Sequence, residues 1–192
     1  SIYIHMYQLS PNIEKEVKDL TPGNTKKVDI SVKAGELIGL ANALDFSLHN
    51  ENVILPGFVI PESYDREPWK IHTVDPFDYF VEPLRSQLLG KNLRSVEPYG
   101  GKIDHDIDGK LIGNWFKENT NGYQGIQEPE YWNSHVSFSP EGQDPSYFIV
   151  SLGDFNGEAK QFGVKGNYPN PKDVGINSGI IKYELVNYDF VD

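Results

Sequence analysis

Tyr147-Phe148-Ile149-Val150 and Phe162-Gly163-Val164 are short apolar runs, rich in aromatic and β-branched residues, on either side of the turn pair Asn156-Gly157. Such side chains suit the pleated, half-buried surface of a strand, and Asn-Gly supplies the positive φ that a tight hairpin turn needs. The stretch predicts two antiparallel strands. Outward from it, Gly113-Asn114-Trp115-Phe116, Tyr131-Trp132, Phe138, Phe155 and Ile180-Ile181-Lys182-Tyr183-Glu184-Leu185 supply further strands. Turn signals fall between them at Asp108-Gly109 and Asn177-Ser178-Gly179. The expectation for this part of the chain is a small antiparallel sheet or barrel.

Upstream the style differs. Ile2 to Leu9 reads as a strand, and Val28-Asp29-Ile30-Ser31-Val32 alternates before a turn at Lys33-Ala34-Gly35-Glu36. Leu37 to Leu40 and Leu44 to Leu48 predict two more strands, and residues 52 to 72 a Pro- and Gly-rich loop too long for a simple connection. Pro76 to Leu89 is the best helix candidate, capped by Asp75, with Phe77, Phe80, Val81, Leu84 and Leu88 near one face. A polar linker follows Gly90. The reading is therefore a mainly β protein of two domains, residues 1–91 with one short helix and residues 92–192 as an antiparallel β domain.

Composition narrows the function classes. Asp and Glu number 28 against 17 Lys and Arg, a formal net charge of −11, which repels phosphate backbones and argues against a nucleic-acid partner. No apolar run is long enough to span a bilayer. With no cysteine, disulfides, thiolate nucleophiles and Cys-ligated zinc are excluded. The chain opens Ser1-Ile2-Tyr3, already strand-like and without an initiator Met, which fits a removed signal peptide and an extracellular, periplasmic or cell-surface location.

Tyr3-Ile4-His5-Met6, Val32-Lys33-Ala34-Gly35-Glu36-Leu37-Ile38-Gly39, Leu44-Asp45-Phe46-Ser47-Leu48 and Val74-Asp75-Pro76-Phe77-Asp78-Tyr79 occur in that order. Together they resemble the lysostaphin-type zinc metallopeptidases, whose barrel carries Tyr-x-His-Leu, Val-Lys-x-Gly-Gln-x-Ile-Gly, His-x-His with Phe-Glu-Val, and Val-x-Pro-x-x-Tyr. The resemblance covers roughly the first half of the chain and implies a degenerate β-barrel of that type. In that family a His-x-x-x-Asp pair and the second His of His-x-His hold zinc. This chain has no His-x-x-x-Asp, and Ala43-Leu44-Asp45 stands where His-x-His is expected. The resemblance thus leaves His5 and Asp45 as vestigial candidates for a catalytic site, with His49 on the same side of the strand as Asp45. Zinc is not expected, because a lone His neither holds the metal nor activates water.

Gly100-Gly101-Lys102-Ile103-Asp104-His105-Asp106-Ile107-Asp108-Gly109 admits two readings. Asp104, Asp106 and Asp108 spell the opening of a calcium loop, because carboxylates on alternate residues converge on one hard cation, but Trp115 occupies the position where the bidentate Glu is expected. The same residues suit a β-hairpin turning at Asp108-Gly109, with Ile103 and Ile107 on one strand and Leu111, Gly113 and Trp115 on the other. Gly113-Asn114-Trp115 also resembles the Gly-x-Trp start of lipocalin-like barrels. Trp132, Tyr131 and Tyr123 are the candidate ligand-binding residues, as aromatic rings able to stack on sugars.

These observations predict a non-catalytic cell-surface or secreted binding or structural module derived from a metallopeptidase-like barrel, with a protein or a cell-envelope glycan as partner. Two alternatives stand beside it, a divergent zinc metallopeptidase acting on cell-wall or other peptides, and a carbohydrate or small-ligand binding protein. An apolar cavity or an exposed aromatic strip in the second half favours the last.

Overall fold

The computed structural model describes residues 2–21, 26, 28–125 and 131–188. The chain is mainly β and its sheets are antiparallel. It divides into two compact units, Ser1–Leu48 and His49–Asp192. Position 92, where the style of the sequence changes, falls inside the second.

The first unit is built from strand β1 (Ile2–Leu9), helix α1 (Pro11–Val17) and strand β2 (Gly39–His49), whose last residue opens the second unit. Pro11 sits where its missing N–H costs nothing, at the start of the helix. β1 and β2 pair antiparallel, with Tyr3 opposite Phe46 and their rings 5.1 Å apart. His5 adopts a left-handed φ of 67° at a shift in register, so β1 carries a bulge there. In the turn before β2, the Glu36 carboxylate accepts the Lys33 N–H at 2.9 Å and the Asn12 amide at 3.2 Å. Leu37–Leu40 and Leu44–Leu48 do not form two strands: Ala41-Asn42-Ala43 has neither Gly nor Pro to break the run, and β2 passes through it. Residues 28 to 32 alternate in sequence but are not a strand.

The second unit contains β3 (Thr73–Val74), α2 (Leu84–Leu89), β4 (Gly113–Phe116), β5 (His135–Pro140), β6 (Phe148–Phe155), β7 (Glu158–Val164) and β8 (Leu185–Asn187). β4 to β8 form one five-stranded sheet in chain order. Asn156 and Gly157 turn β6 into β7 with φ of 59° and 92°, and Asp154 accepts the Gly157 N–H at 2.8 Å. One face of the sheet is the core, where Phe148, Val150, Val164 and Ile112 are buried and Phe138, Leu152 and Tyr183 pack against them. Each such side chain contributes about 1.5–3 kcal/mol by leaving water.

The helix expected over Pro76 to Leu89 is broken. Pro76–Asp78 is a single 3₁₀ turn, capped as expected by Asp75, whose carboxylate accepts the Phe77 N–H at 2.9 Å. The α-helix begins only at Leu84, because Pro83 has no N–H to donate and its ring clashes with a preceding turn. The hairpin expected at Asp108-Gly109 is also absent. β4 finds its partner in β5, residues 101 to 107 are not a strand, and the Asp104 and Asp106 side chains are used otherwise.

Asp104 is 2 % exposed and accepts the Gly57 N–H at 2.8 Å, with the Lys102 ammonium on its other oxygen. Asp106 accepts the Asn114 N–H at 2.9 Å and the Val59 N–H at 3.2 Å, while its own N–H donates to the Gly57 carbonyl at 2.8 Å. Residues 57 to 59 and 104 to 106 are thus laced together, so closely that a Cβ at Gly57 would run into the Asp104 backbone oxygen. A second staple is the buried Arg94, which donates to the Pro98 and Gly142 carbonyls, each at 2.7 Å.

Asp108, by contrast, is exposed and its carboxylate accepts no hydrogen bond among the described residues. Denaturant unfolding should therefore separate the two positions. Asp104→Ala is expected to cost about 2–3 kcal/mol by orphaning a buried amide and an ammonium, and Asp108→Ala less than about 0.5 kcal/mol. Equal effects would contradict the staple.

Candidate functional site

The face of the five-stranded sheet opposite the core carries a polar row. Asn114 of β4 lies opposite Ser137 of β5, Ser137 opposite Ser151 of β6, and Ser151 opposite Gln161 of β7. Cross-strand partners point to the same side, so the four side chains run as a line across four strands, roughly 4.8 Å apart per step. Gln161 donates to the Ser151 hydroxyl at 3.1 Å, and its carbonyl oxygen is buried with no hydrogen-bond partner among the described residues. The amide assignment is interchangeable, so the unpartnered atom of Gln161 is either an acceptor or a donor.

Aromatic rings wall this row. Phe116, one position along β4 on the same face, meets the His135 ring edge-on at 5.0 Å. Tyr123 lies 5.0 Å from His135 and 5.5 Å from Tyr64, stacked on the latter. Tyr64 is 4 % exposed, packed against Phe58 at 4.5 Å and Phe116 at 5.8 Å. It comes from the long 52–72 segment, held by the Asp104 and Asp106 staples. Trp132 arrives on the short turn Tyr131–Ser134, which presses onto β6 at Gly153, where any Cβ would collide with the Trp132 carbonyl oxygen. Gly153 therefore sets how close that turn can come to the sheet.

Between row and rings lies a cavity of about 500 Å³, lined by Trp132, Tyr123, Tyr64 and His135 among others. That is within the range of roughly 300–1,000 Å³ typical of small-ligand sites. No carboxylate lines it among the described residues. Lys160 of β7 is the one lysine of the lining among the described residues: it pairs across with Leu152, on the core side, and its ammonium lies 5.3 Å over the Phe162 ring and 5.7 Å over Phe155. Lys70 borders the far side of Tyr123, 4.9 Å over its ring, and is paired with Glu67 at 3.2 Å.

Two titratable rings of the site are held in their neutral forms. Burial pushes the His135 ring below its ordinary value, with the Tyr123 and Gly122 carbonyls pulling the other way and Lys70 adding to the depression. Burial pushes the Tyr64 hydroxyl far above the usual phenol value, assisted by the Asp106 charge and partly offset by Asn114. Both are uncharged at neutral pH. Asp106 itself is pushed up by burial, against the two backbone amides it accepts.

Of the residues singled out from sequence, Trp132 and Tyr123 come together at this cavity, and Trp132 is 40 % exposed. The Tyr131 side chain lies outside the described residues. Asp104 and Asp106 receive backbone amides rather than converging with Asp108, and among the described residues no three His, Cys, Asp or Glu gather as a metal-holding set. His5 and Asp45 are both exposed, on neighbouring strands with Ile4 opposite Asp45, and no hydrogen bond or ion pair joins them. His49 ends β2, four residues after Asp45, and its charged form is disfavoured by burial, with a further push from the His72 charge. Sequence reading missed Asn114, Ser137, Ser151 and Gln161. Their signal was the alternation Val136-Ser137-Phe138-Ser139 and Val150-Ser151-Leu152, which marks a polar face but does not by itself pair strands.

Three histidines, His49, His105 and His135, are depressed, with burial the leading cause in each. A depressed folded value favours the neutral ring, so the stability it contributes is complete above the ordinary value of 6.5 and is lost as pH falls through the folded values. The denaturation midpoint is expected to fall between about pH 7.5 and pH 5. His135→Gln should flatten that slope. A midpoint flat across the range would contradict the burial of these rings.

No protein-family model, no curated protein and no solved structure matches this chain, so its functional reading rests on its own geometry.

Proposed function

We propose that this chain is a non-catalytic binding module of the cell exterior, with a degenerate lysostaphin-type segment in its first unit and a ligand-binding cleft in its second. The observation that carries the reading is the cleft itself. Aromatic rings face a line of hydroxyls and amides across a cavity of about 500 Å³, and a cell-envelope saccharide is the partner such a lining suits. Trp132, 40 % exposed, sits at a cavity beside other rings rather than alone on the surface.

The first unit supports the non-catalytic half of the reading. Peptide hydrolysis by a metal requires enough ligands to lower the pKa of bound water and a base to steer it. Of the family's set the chain keeps His5, on a bulge, with Asp45 in place of the zinc-ligand His and Ala43 in place of the general-base His. Calcium and zinc have no part in this proposal.

Sedimentation of the purified chain with protein-stripped cell-wall and extracellular polysaccharide tests the binding half. Retention should weaken roughly 30-fold in Trp132→Ala, corresponding to the ~2 kcal/mol of a stacking anchor. The same material incubated with added zinc should release no peptide. Peptide release abolished by His5→Ala would overturn the proposal in favour of a peptidase.

A further inference from the structure

The hydrogen-bonding groups of the cleft are arranged as a straight line rather than a ring. Asn114, Ser137, Ser151 and Gln161 step across β4, β5, β6 and β7 with the spacing of the strands themselves, roughly 4.8 Å. That interval is close to the repeat of pyranose rings along a glycan. A ligand that meets one group per strand is therefore a polymer or oligomer lying perpendicular to the strands, not a compact molecule seated at one point.

The charge of the ligand follows from the lining. The chain carries 28 acidic and 17 basic residues, yet no carboxylate faces this cavity among the described residues. The nearest ammonium groups are committed elsewhere: Lys160 to rings on the core side, Lys70 to Glu67, and Lys102 to the buried Asp104. A cationic ligand would find no carboxylate among the described residues, and an anionic one only Lys160, whose ammonium is drawn over the Phe155 and Phe162 rings. Hydroxyls and amides, which both donate and accept, match the hydroxyls of a sugar at each step. Trp132 and Tyr123 supply flat apolar surface at the walls, where the C–H face of a sugar ring stacks.

Resting on the cleft proposed above, we infer that its ligand is an uncharged linear oligosaccharide, laid across the strands and read by the row Asn114–Ser137–Ser151–Gln161. Each added ring gains one further polar partner until the row is filled. Affinity is a function of chain length, and ionic strength has little influence on it because no charge pair is formed.

The test is calorimetric titration of the full chain with neutral gluco- and chito-oligosaccharides of one to four rings. An oligogalacturonate of matched length and a planar apolar dye are run beside them. Affinity for a neutral series is expected to rise at least roughly tenfold from one ring to three, unchanged by added salt. Gln161→Ala and Ser151→Ala should each weaken the three-ring ligand about three- to tenfold with an unaltered melting temperature, and Trp132→Ala more than either. Stronger binding of the uronate, suppressed by salt, would overturn the uncharged class while leaving the cleft a saccharide site. Binding of the dye alone, displaced by no saccharide, would overturn the inference and keep only an apolar pocket. Trp132-dependent retention on envelope material without any gain with chain length would refute the row. No Trp132-dependent binding to anything would remove the cleft reading and this inference together.

Discussion

Two carboxylates two residues apart hold the second unit in its working shape. Asp104 and Asp106 accept the amides of Gly57, Val59 and Asn114, which belong to a long irregular segment and to the first strand of the five-stranded sheet. Buried backbone donors must be satisfied, and an irregular segment cannot satisfy them internally as a helix or sheet does. The carboxylates do so instead. Asp106 is held against its preference, since burial, with the Asp104 charge beside it, raises it against the two amides that lower it. What the arrangement secures is the position of Tyr64, on which Tyr123 stacks and against which Phe58 and Phe116 pack. The wall of the cleft therefore depends on a polar contact well outside it.

The sheet separates two tasks between its faces. One side buries Phe148, Val150 and Val164 and supplies cohesion. The other carries Asn114, Ser137, Ser151 and Gln161, with Gln161 donating to the Ser151 hydroxyl and leaving an amide atom unpartnered among the described residues. Glycine at 153 lets the Trp132 turn lie directly on that polar face. Neutral His135 and Tyr64 complete a lining that, among the described residues, holds no carboxylate in a strongly acidic chain.

The mainly β character was legible in short aromatic and β-branched runs and in Asn156-Gly157, because a local turn and its flanking strands are encoded within a few residues. Trp132 was legible as an exposed aromatic, whereas Tyr123, expected to be exposed, is half-buried against Tyr64 and His135. The long-range pairings were not. Asp108-Gly109 has the chemistry of a hairpin turn, yet β4 pairs with β5 across an intervening segment that no local signal specifies. The Asp104-x-Asp106-x-Asp108 spacing suits a cation and equally suits acceptance of amides from a segment 47 positions away, and only tertiary contact decides between them. Pro83 was the one local sign against a continuous helix from Pro76 to Leu89.

Amide hydrogen exchange on the Asp106→Ala variant tests most directly whether this carboxylate pair organises the cleft. Exchange is expected to accelerate at Val59 and Asn114 and to spread through Tyr64 to Tyr123, while β6 and β7 keep their protection. Acceleration confined to Val59 and Asn114, with Tyr64 and Tyr123 unchanged, would show that the aromatic wall stands without the staple and would contradict the account.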